Sequence, residues 1–289
     1  MSRSIRLCLV TDIHHGKPSF TKAGPAALGL MEEFRRFVAE TRPDAVLDLG
    51  DRISDEARNS DLVLEQEIAE AFAPIAAPRF HIDGNHDRDH LDVADNDRIL
   101  GRSAHHETVD LGDWRLVLWR ADAKLHRPAG FALVEADLIW LARIVRAADR
   151  PLVIVSHVPV SGHSQVGNYW FENNPLYATY PSADRIRAVL RQARVPVIWF
   201  SGHVHWNTLT AVDGIAHITL QSLTETFTTD GEPAGAFALL ELSDRVLWRV
   251  HGRDPFEWSA SRADLARRWM TPLPDFRTLL GSRLRDTAE

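Results

Sequence analysis

Short apolar runs that stop abruptly at polar residues recur through the first two thirds of the chain. Residues 6–10 (RLCLV) lead into Thr11 and Asp12, and residues 45–49 (AVLDL) into Gly50 and Asp51. Residues 79–82 precede Asp83-Gly-Asn-His-Asp87, residues 151–155 (PLVIV) precede Ser156 and His157, and residues 195–200 (VPVIWF) precede Ser201-Gly-His-Val-His205. Their length and aliphatic, β-branched character predict strands, and the lack of alternation predicts burial on both faces. Between them, apolar residues at helical spacing predict helices over 26–41, 61–72, 134–148 and 183–193. Alternating strand and helix argues for an α/β layered fold. Residues 114–119, 217–220, 237–242 and 246–250 break the alternation and read as further strands, several antiparallel, which predicts a second sheet packed on the first. We expect one domain over residues 1–250. An Arg-, Asp- and Pro-rich appendage over 251–289 would then dock on it, or on a partner subunit of a homo-oligomer, through Trp258 and Trp269.

Composition narrows the function. The 289 residues carry a net charge of -7, which disfavours nonspecific nucleic-acid or membrane-surface binding. The one cysteine, Cys8, lies in an apolar run and reads as a small core residue; an intramolecular disulfide and a thiolate zinc cage are excluded. The N-terminal apolar stretch is too short for a signal peptide or a membrane span, so the cytoplasm is the expected compartment.

The chemistry sits where the apolar runs stop. Strand ends in an open α/β sheet converge on one edge, where ligand sites form. Here they would gather Asp12, His14, Asp51, Asn85, His86, His157, His203 and His205. These carboxylates, imidazoles and one amide suit divalent ions such as Mn, Fe, Zn or Co. Gly50, Gly84 and Gly202 directly precede Asp51, Asn85 and His203, letting the backbone turn sharply out of each strand. The inventory supplies two ions: Asp12, His14, Asp51 and His205 for one, and Asp51, Asn85, His157 and His203 for the other. Asp51 can bridge, since it has two oxygens.

The motifs Asp12-Ile-His14, Gly50-Asp51, Gly84-Asn-His-Asp87, Ser156-His157-Val-Pro159 and Gly202-His-Val-His205 occur in an order that resembles the calcineurin-like metallophosphoesterases. The resemblance covers about residues 5–210. It implies a four-layer α-β-β-α sandwich of two mixed sheets flanked by helices, with the same ligand assignment and Asp51 bridging. The His-x-Pro form at His157 looks most like the bacterial phosphodiesterases acting on glycerophosphodiesters or cyclic nucleotides. Two cations about 3.5–4 Å apart can clamp a phosphate and lower the pKa of a shared water toward ~7, giving a hydroxide that attacks phosphorus in line. Asn85 is placed to touch a metal and a phosphoryl oxygen. His86 is the candidate to stabilise developing charge or protonate the leaving alkoxide, with Asp87 orienting it.

Arg52 stands where the family more often has an apolar residue. It is expected to pair with Asp55, the alternative being a phosphate contact. Other histidines read as structural or exposed, with His15 open between an outer-layer role and solvent. Residues 161–181 are rich in aromatics and Asn, and Tyr169, Trp170, Phe171, Asn173 and Asn174 would either cover the site or pack on the core. The expected function is hydrolysis of a small phosphodiester. The alternatives are a phosphomonoesterase, a nucleotide pyrophosphohydrolase and, in another class, a scaffold of this fold without activity.

Overall fold

In the computed structural model, residues 4–103 and 105–278 are described. In chain order the strands are β1 (Ile5–Val10), β2 (Ala45–Asp48), β3 (Arg79–His81), β4 (Glu107–Leu111), β5 (Trp114–Leu118), β6 (Leu125–His126), β7 (Gly130–Phe131), β8 (Leu152–Val155), β9 (Val197–Ser201), β10 (Thr208–Val212), β11 (Ile215–Thr219), β12 (Phe237–Leu242), β13 (Arg245–His251) and β14 (Phe256–Ser261). The α-helices are α1 (Ala27–Thr41), α2 (Arg58–Phe72), α3 (Val93–Leu100), α4 (Glu135–Ala147), α5 (Ala183–Leu190) and α6 (Arg262–Leu265).

Two six-stranded sheets form, in the orders β14-β13-β12-β1-β2-β3 and β10-β11-β9-β8-β5-β4, and β6 pairs with β7 apart from them. Both sheets are mixed. β1, β2 and β3 run parallel while β12 pairs antiparallel with β1. β5, β8, β9 and β11 run parallel, with β4 and β10 antiparallel at the edges.

Side-chain alternation along each strand sorts the core into layers. On β1, Leu7 and Leu9 face the second sheet and pack in one cluster with Leu116, Val153, Ile198, Phe200 and Trp248. Cys8 and Val10 face the other way, onto Met31, Phe34 and Val38 of α1 and Ile68 and Phe72 of α2. On the far side, Ile154 and Trp199 pack on Leu141 and Val145 of α4 and Ile186 and Leu190 of α5. This is the expected helix–sheet–sheet–helix sandwich. Burial among these aliphatics pushes the Cys8 thiol up to about 12, which keeps it an inert core residue.

Two expectations shift. The five motif-bearing strands do not lie side by side: β1, β2 and β3 belong to one sheet, β8 and β9 to the other. The site therefore forms where two sheets meet at their C-terminal ends. The sheet also continues past residue 250. β13 ends at His251 and β14 pairs along it, with Trp258 opposite Trp248 and Glu257 opposite Arg249. Half-buried alternation and a cross-strand ion pair made that edge strand read as polar tail. Trp269, by contrast, is 57% exposed.

Candidate metal centre

Each candidate side chain sits on the first residues after a strand. Asp12 and His14 follow β1, Asp51 follows β2, Asn85 and His86 follow β3, His157 follows β8, and His203 and His205 follow β9. Asp12, His14, Asp51, His203 and His205 all have φ between 47° and 72°, a left-handed conformation uncommon outside glycine. Such strain costs on the order of 1–3 kcal/mol per residue and persists where the surroundings enforce it. The enforcement is visible here. Asp12 N donates to Gly50 O at 2.8 Å and His14 N to Asp51 O at 3.0 Å. The His203 amide donates to Asp12 Oδ2 at 2.9 Å. A Cβ on Gly84 would overlap the Asp51 carboxyl, and one on Gly202 would overlap the Thr11 and Asp12 side chains.

These turns bring the candidates together in two groups. Asp12, His14, Asp51 and His205 each present a ligand atom within 4.8 Å of one another, and so do Asp51, His157 and His203. Asp51 belongs to both. Its Oδ1 accepts from the His86 amide at 2.8 Å. Its Oδ2 lies 3.9 Å from His14 Nε2 and 3.3 Å from His157 Nε2, between the groups. Asn85 Oδ1 is 3.2 Å from His157 Nε2, on the second group.

The far nitrogen of three imidazoles is held by the protein, which aims the near one inward. His157 Nδ1 donates to Leu49 O at 2.8 Å and His205 Nδ1 to Glu225 Oε2 at 2.7 Å, leaving Nε2 of each for an ion. His203 uses Nε2 on Tyr177 O at 2.7 Å, leaving Nδ1. His14 Nε2 faces His205 Nε2 at 2.9 Å while its Nδ1 is buried without a partner. Without an ion these two nitrogens can share one proton as a hydrogen bond; the donor set of N and O atoms gathered here suits a divalent ion.

Charge tells the same story. Burial disfavours a charged His157, yet the Asp51 carboxylate outweighs it and pushes the imidazole up to about 9. His205 likewise overcomes burial through Asp12 and Glu225 and reaches about 9. Burial holds His203 down at about 3 and His14 well below the usual range. Protons on His157 and His205 therefore balance the buried carboxylates, and a bound cation would take their place.

The calcineurin-like phosphoesterase family profile matches residues 5–207. The chain belongs to that family. Among solved structures, a dimetal phosphatase from Danio rerio superposes with a TM-score of 0.72 at 16% identity, covering 89% of this chain and 99% of that one. A putative 5'-nucleotidase from Staphylococcus aureus gives 0.54 at 15% identity, covering 98% of this chain and 58% of that one. The protein TT1561 of Thermus thermophilus gives 0.53 at 12% identity, over 87% and 100%. At these identities the likeness concerns the fold. No curated protein matches by sequence.

As a calcineurin-like phosphoesterase the chain differs from expectation at several side chains. Asp87 does not orient His86. Its carboxylate accepts from the amides of Gly84, Asp51 and Arg52 at 2.8–2.9 Å and so shapes the loop. His86 Nδ1 donates instead to Asp55. Arg52 neither pairs with Asp55 nor reaches the cleft. Fully buried, it binds Asp48, Glu65 and Asp83, with Asp87 3.2 Å away. His15 turns away to Glu67 at 2.6 Å. Ser156 Oγ donates to Val158 O and accepts from Trp199 Nε1, bracing the loop that carries His157.

The centre opens into a cleft of about 200 Å³ whose walls include Phe20, Arg127, Tyr169, Trp170, Phe171 and Tyr177. In the 161–181 segment Tyr169, Trp170 and Phe171 wall the cleft and Phe171 also packs on Val204, whereas Asn173 is exposed and the Asn174 side chain donates to Trp170 O at 2.7 Å. Three residues of the site had no sequence signal. Asp55 and Glu225 are ordinary loop acids until the fold sets them behind His86 and His205. Lys22 is buried against His86 at 3.3 Å.

Proposed function

We propose that this calcineurin-like phosphoesterase is a two-metal phosphodiesterase acting on a small organic phosphodiester. The observation carrying this reading is Asp51, whose carboxylate belongs to both ligand groups and lies at the cleft floor. Asp12, His14, Asp51 and His205 would hold one divalent ion, and Asp51, Asn85, His157 and His203 the other, with Mn, Fe, Zn or Co all compatible with the donors. When bound, such a pair polarises a phosphoryl oxygen and activates water.

The chain's own residues supply the rest. Glu225, Leu49 O and Tyr177 O fix the imidazole orientations. Asn85 can donate an amide N–H to a phosphoryl oxygen. His86, held by Asp55, and Lys22 stand beside it in the cleft. The cleft's small volume supports a small substrate, and the net charge of -7 argues against nucleic acid. No described helix is long and apolar enough to cross a membrane. We place the reaction in the cytoplasm. The His157-Val-Pro159 form favours the diester reading over phosphomonoester or nucleotide pyrophosphate hydrolysis.

The test is metal reconstitution followed by rates on bis(p-nitrophenyl) phosphate and p-nitrophenyl phosphate. The diester should be the faster substrate. No turnover of either by protein shown to hold two ions ends the reading, and a faster monoester transfers it to the monoesterase alternative.

A further inference from the structure

Apart from the metal ligands, the cleft walls are largely aromatic: Phe20 on one loop, and Tyr169, Trp170 and Tyr177 on the 161–181 segment. Phe20 is unusual in two ways at once. Its side chain is 89% exposed, so the chain itself gives the ring almost no cover. It also stands in a turn closed by Ser19 and Lys22, with Lys22 N donating to Ser19 O at 2.8 Å and Ser19 N to Lys22 O at 3.2 Å. There its φ is 49°, a left-handed conformation that Gly or Asn adopts readily and a bulky residue does not. Backbone strain and an uncovered apolar ring, both at the cleft, mark a residue whose contacts come from a ligand.

The other aromatic wall is held rigid from behind. Buried Asn168 accepts at Oδ1 from the amides of Trp170 and Phe171 at 3.1 and 3.0 Å, and its Nδ2 donates to Val204 O at 2.8 Å. That ties the wall to the loop carrying His203 and His205. The Tyr169 ring lies 5.0 Å from Phe227, itself 6.2 Å from Trp206, and Trp170 lies 5.8 Å from Tyr177. Tyr169 is still 40% exposed, so its ring leans on Phe227 and keeps open surface. Side chains fixed in advance give up little freedom when a ligand arrives.

Charge decides what such walls can take. Aromatic faces attract both planar rings and quaternary ammonium groups. Lys22 and Arg127 line the same cleft, and Asp51, a ligand of both proposed ions, is the only carboxylate among the described residues that line it. Two cations repel a quaternary ammonium and leave a neutral ring unopposed. We propose that Phe20 and Tyr169 are specificity-determining residues, and that the substrate is a phosphodiester one of whose alcohols carries a neutral planar ring that packs against them. This rests on the phosphoester reading above and adds the substrate class to it.

The test uses metal-loaded protein and the methyl phosphodiesters of benzyl alcohol, cyclohexylmethanol and choline, with kcat/KM obtained by chromatography of the monoester products. Benzyl and cyclohexylmethyl groups are similar in bulk and differ in planarity and π-faces. The worth of aromatic contacts beyond burial predicts that wild type prefers the benzyl over the cyclohexylmethyl ester by about 2- to 10-fold, with the choline ester slower than both. Phe20→Leu and Tyr169→Leu should each bring the benzyl-to-cyclohexylmethyl ratio toward one, while Phe20→Trp, which keeps a ring face, should preserve it. Metal content should stay at two ions per chain in every variant. A ratio near one in wild type, a choline ester faster than the benzyl ester, an unchanged ratio in either leucine variant, a ratio lost in Phe20→Trp, or loss of metal overturns the assignment. Wild type holding two ions yet inactive on all three esters and on bis(p-nitrophenyl) phosphate would overturn the phosphoester reading itself.

Discussion

Two largely buried clusters of four carboxyl groups lie back to back in this protein, and their chemistry differs because in one of them an arginine pairs with every carboxyl group. Asp48, Glu65, Asp83 and Asp87 surround Arg52. The guanidinium also donates to Ile82 O at 2.7 Å, so all its N–H groups have acceptors in reach. Asp12, Asp51, Asp55 and Glu225 face histidines and Lys22 but no arginine. The clusters are separated by one peptide bond, between Asp51 and Arg52, and Asp87 accepts from the amides of both. Yet the backbone differs. Residues 48, 52, 65, 83 and 87 avoid the left-handed region that Asp12 and Asp51 occupy. A covalently supplied cation lets its cluster relax. A centre for an exchangeable ion keeps strain and converging ligand atoms in readiness.

The largest effect should come from exchanging the roles. Arg52→Met leaves its carboxylates without their cation, and breaking a buried pair in this way costs about 3–5 kcal/mol. Urea unfolding should show that loss. Asp51→Ala should do the opposite: stability of the metal-free protein should move far less, while both ions and nearly all hydrolysis disappear. Unfolding curves and metal analysis on both variants decide the matter. Two retained ions in Asp51→Ala would refute the shared carboxylate. An Arg52→Met protein as stable as wild type would show that its cluster does not need the guanidinium.

The comparison can be sharpened at Glu225, which belongs to the second cluster but touches no proposed ion. It accepts from His205 Nδ1 at 2.7 Å. Groups that orient metal-bound histidines are worth ~10–100-fold in affinity or activity. Glu225→Gln keeps an acceptor and loses the charge, so metal affinity measured against a competing chelator should fall within that range. Unfolding of the metal-free protein should change little. Unchanged affinity would show that the Glu225 charge has no part in holding the ion.

The two clusters were not equally legible. Asp12, His14, Asp51, Asn85, His157, His203 and His205 announced themselves because each follows an apolar run, and the unbroken apolar character of those runs placed their strands correctly within a residue or two. What stayed hidden was contact between distant loops. Glu65 reads as a helix residue, and only the docking of α2 turns it onto Arg52. Arg52 was visibly unusual, but its true partners lie 4 to 35 positions away, all farther from it along the chain than Asp55. Lys22 and Glu225 depend on a pairing between two loops 203 residues apart that no periodicity encodes. Strand β4 was missed because its side chains are mostly exposed and polar, as edge strands allow.

The subtlest difference concerns how each cluster handles excess negative charge. The metal centre takes protons on His157 and His205, whereas the Arg52 cluster takes one on an acid. Burial, against the pull of Arg52, pushes Glu65 up to about 8, with Asp87 and Asp83 adding to the rise. In the unfolded chain the same group ionises near ~4.3. The contribution of protonated Glu65 to stability is therefore complete below about 4.3 and drains away as pH rises toward 8, at about 1.4 kcal/mol per pH unit for one proton. Glu65→Gln removes that titration. Stability of the variant relative to wild type should be level at acid pH, rise between about 4.5 and 8, and level off above. Urea midpoints at several pH values measure this difference directly. A flat difference would mean that Glu65 is ionised beside Arg52, making that cluster a conventional ion-pair network.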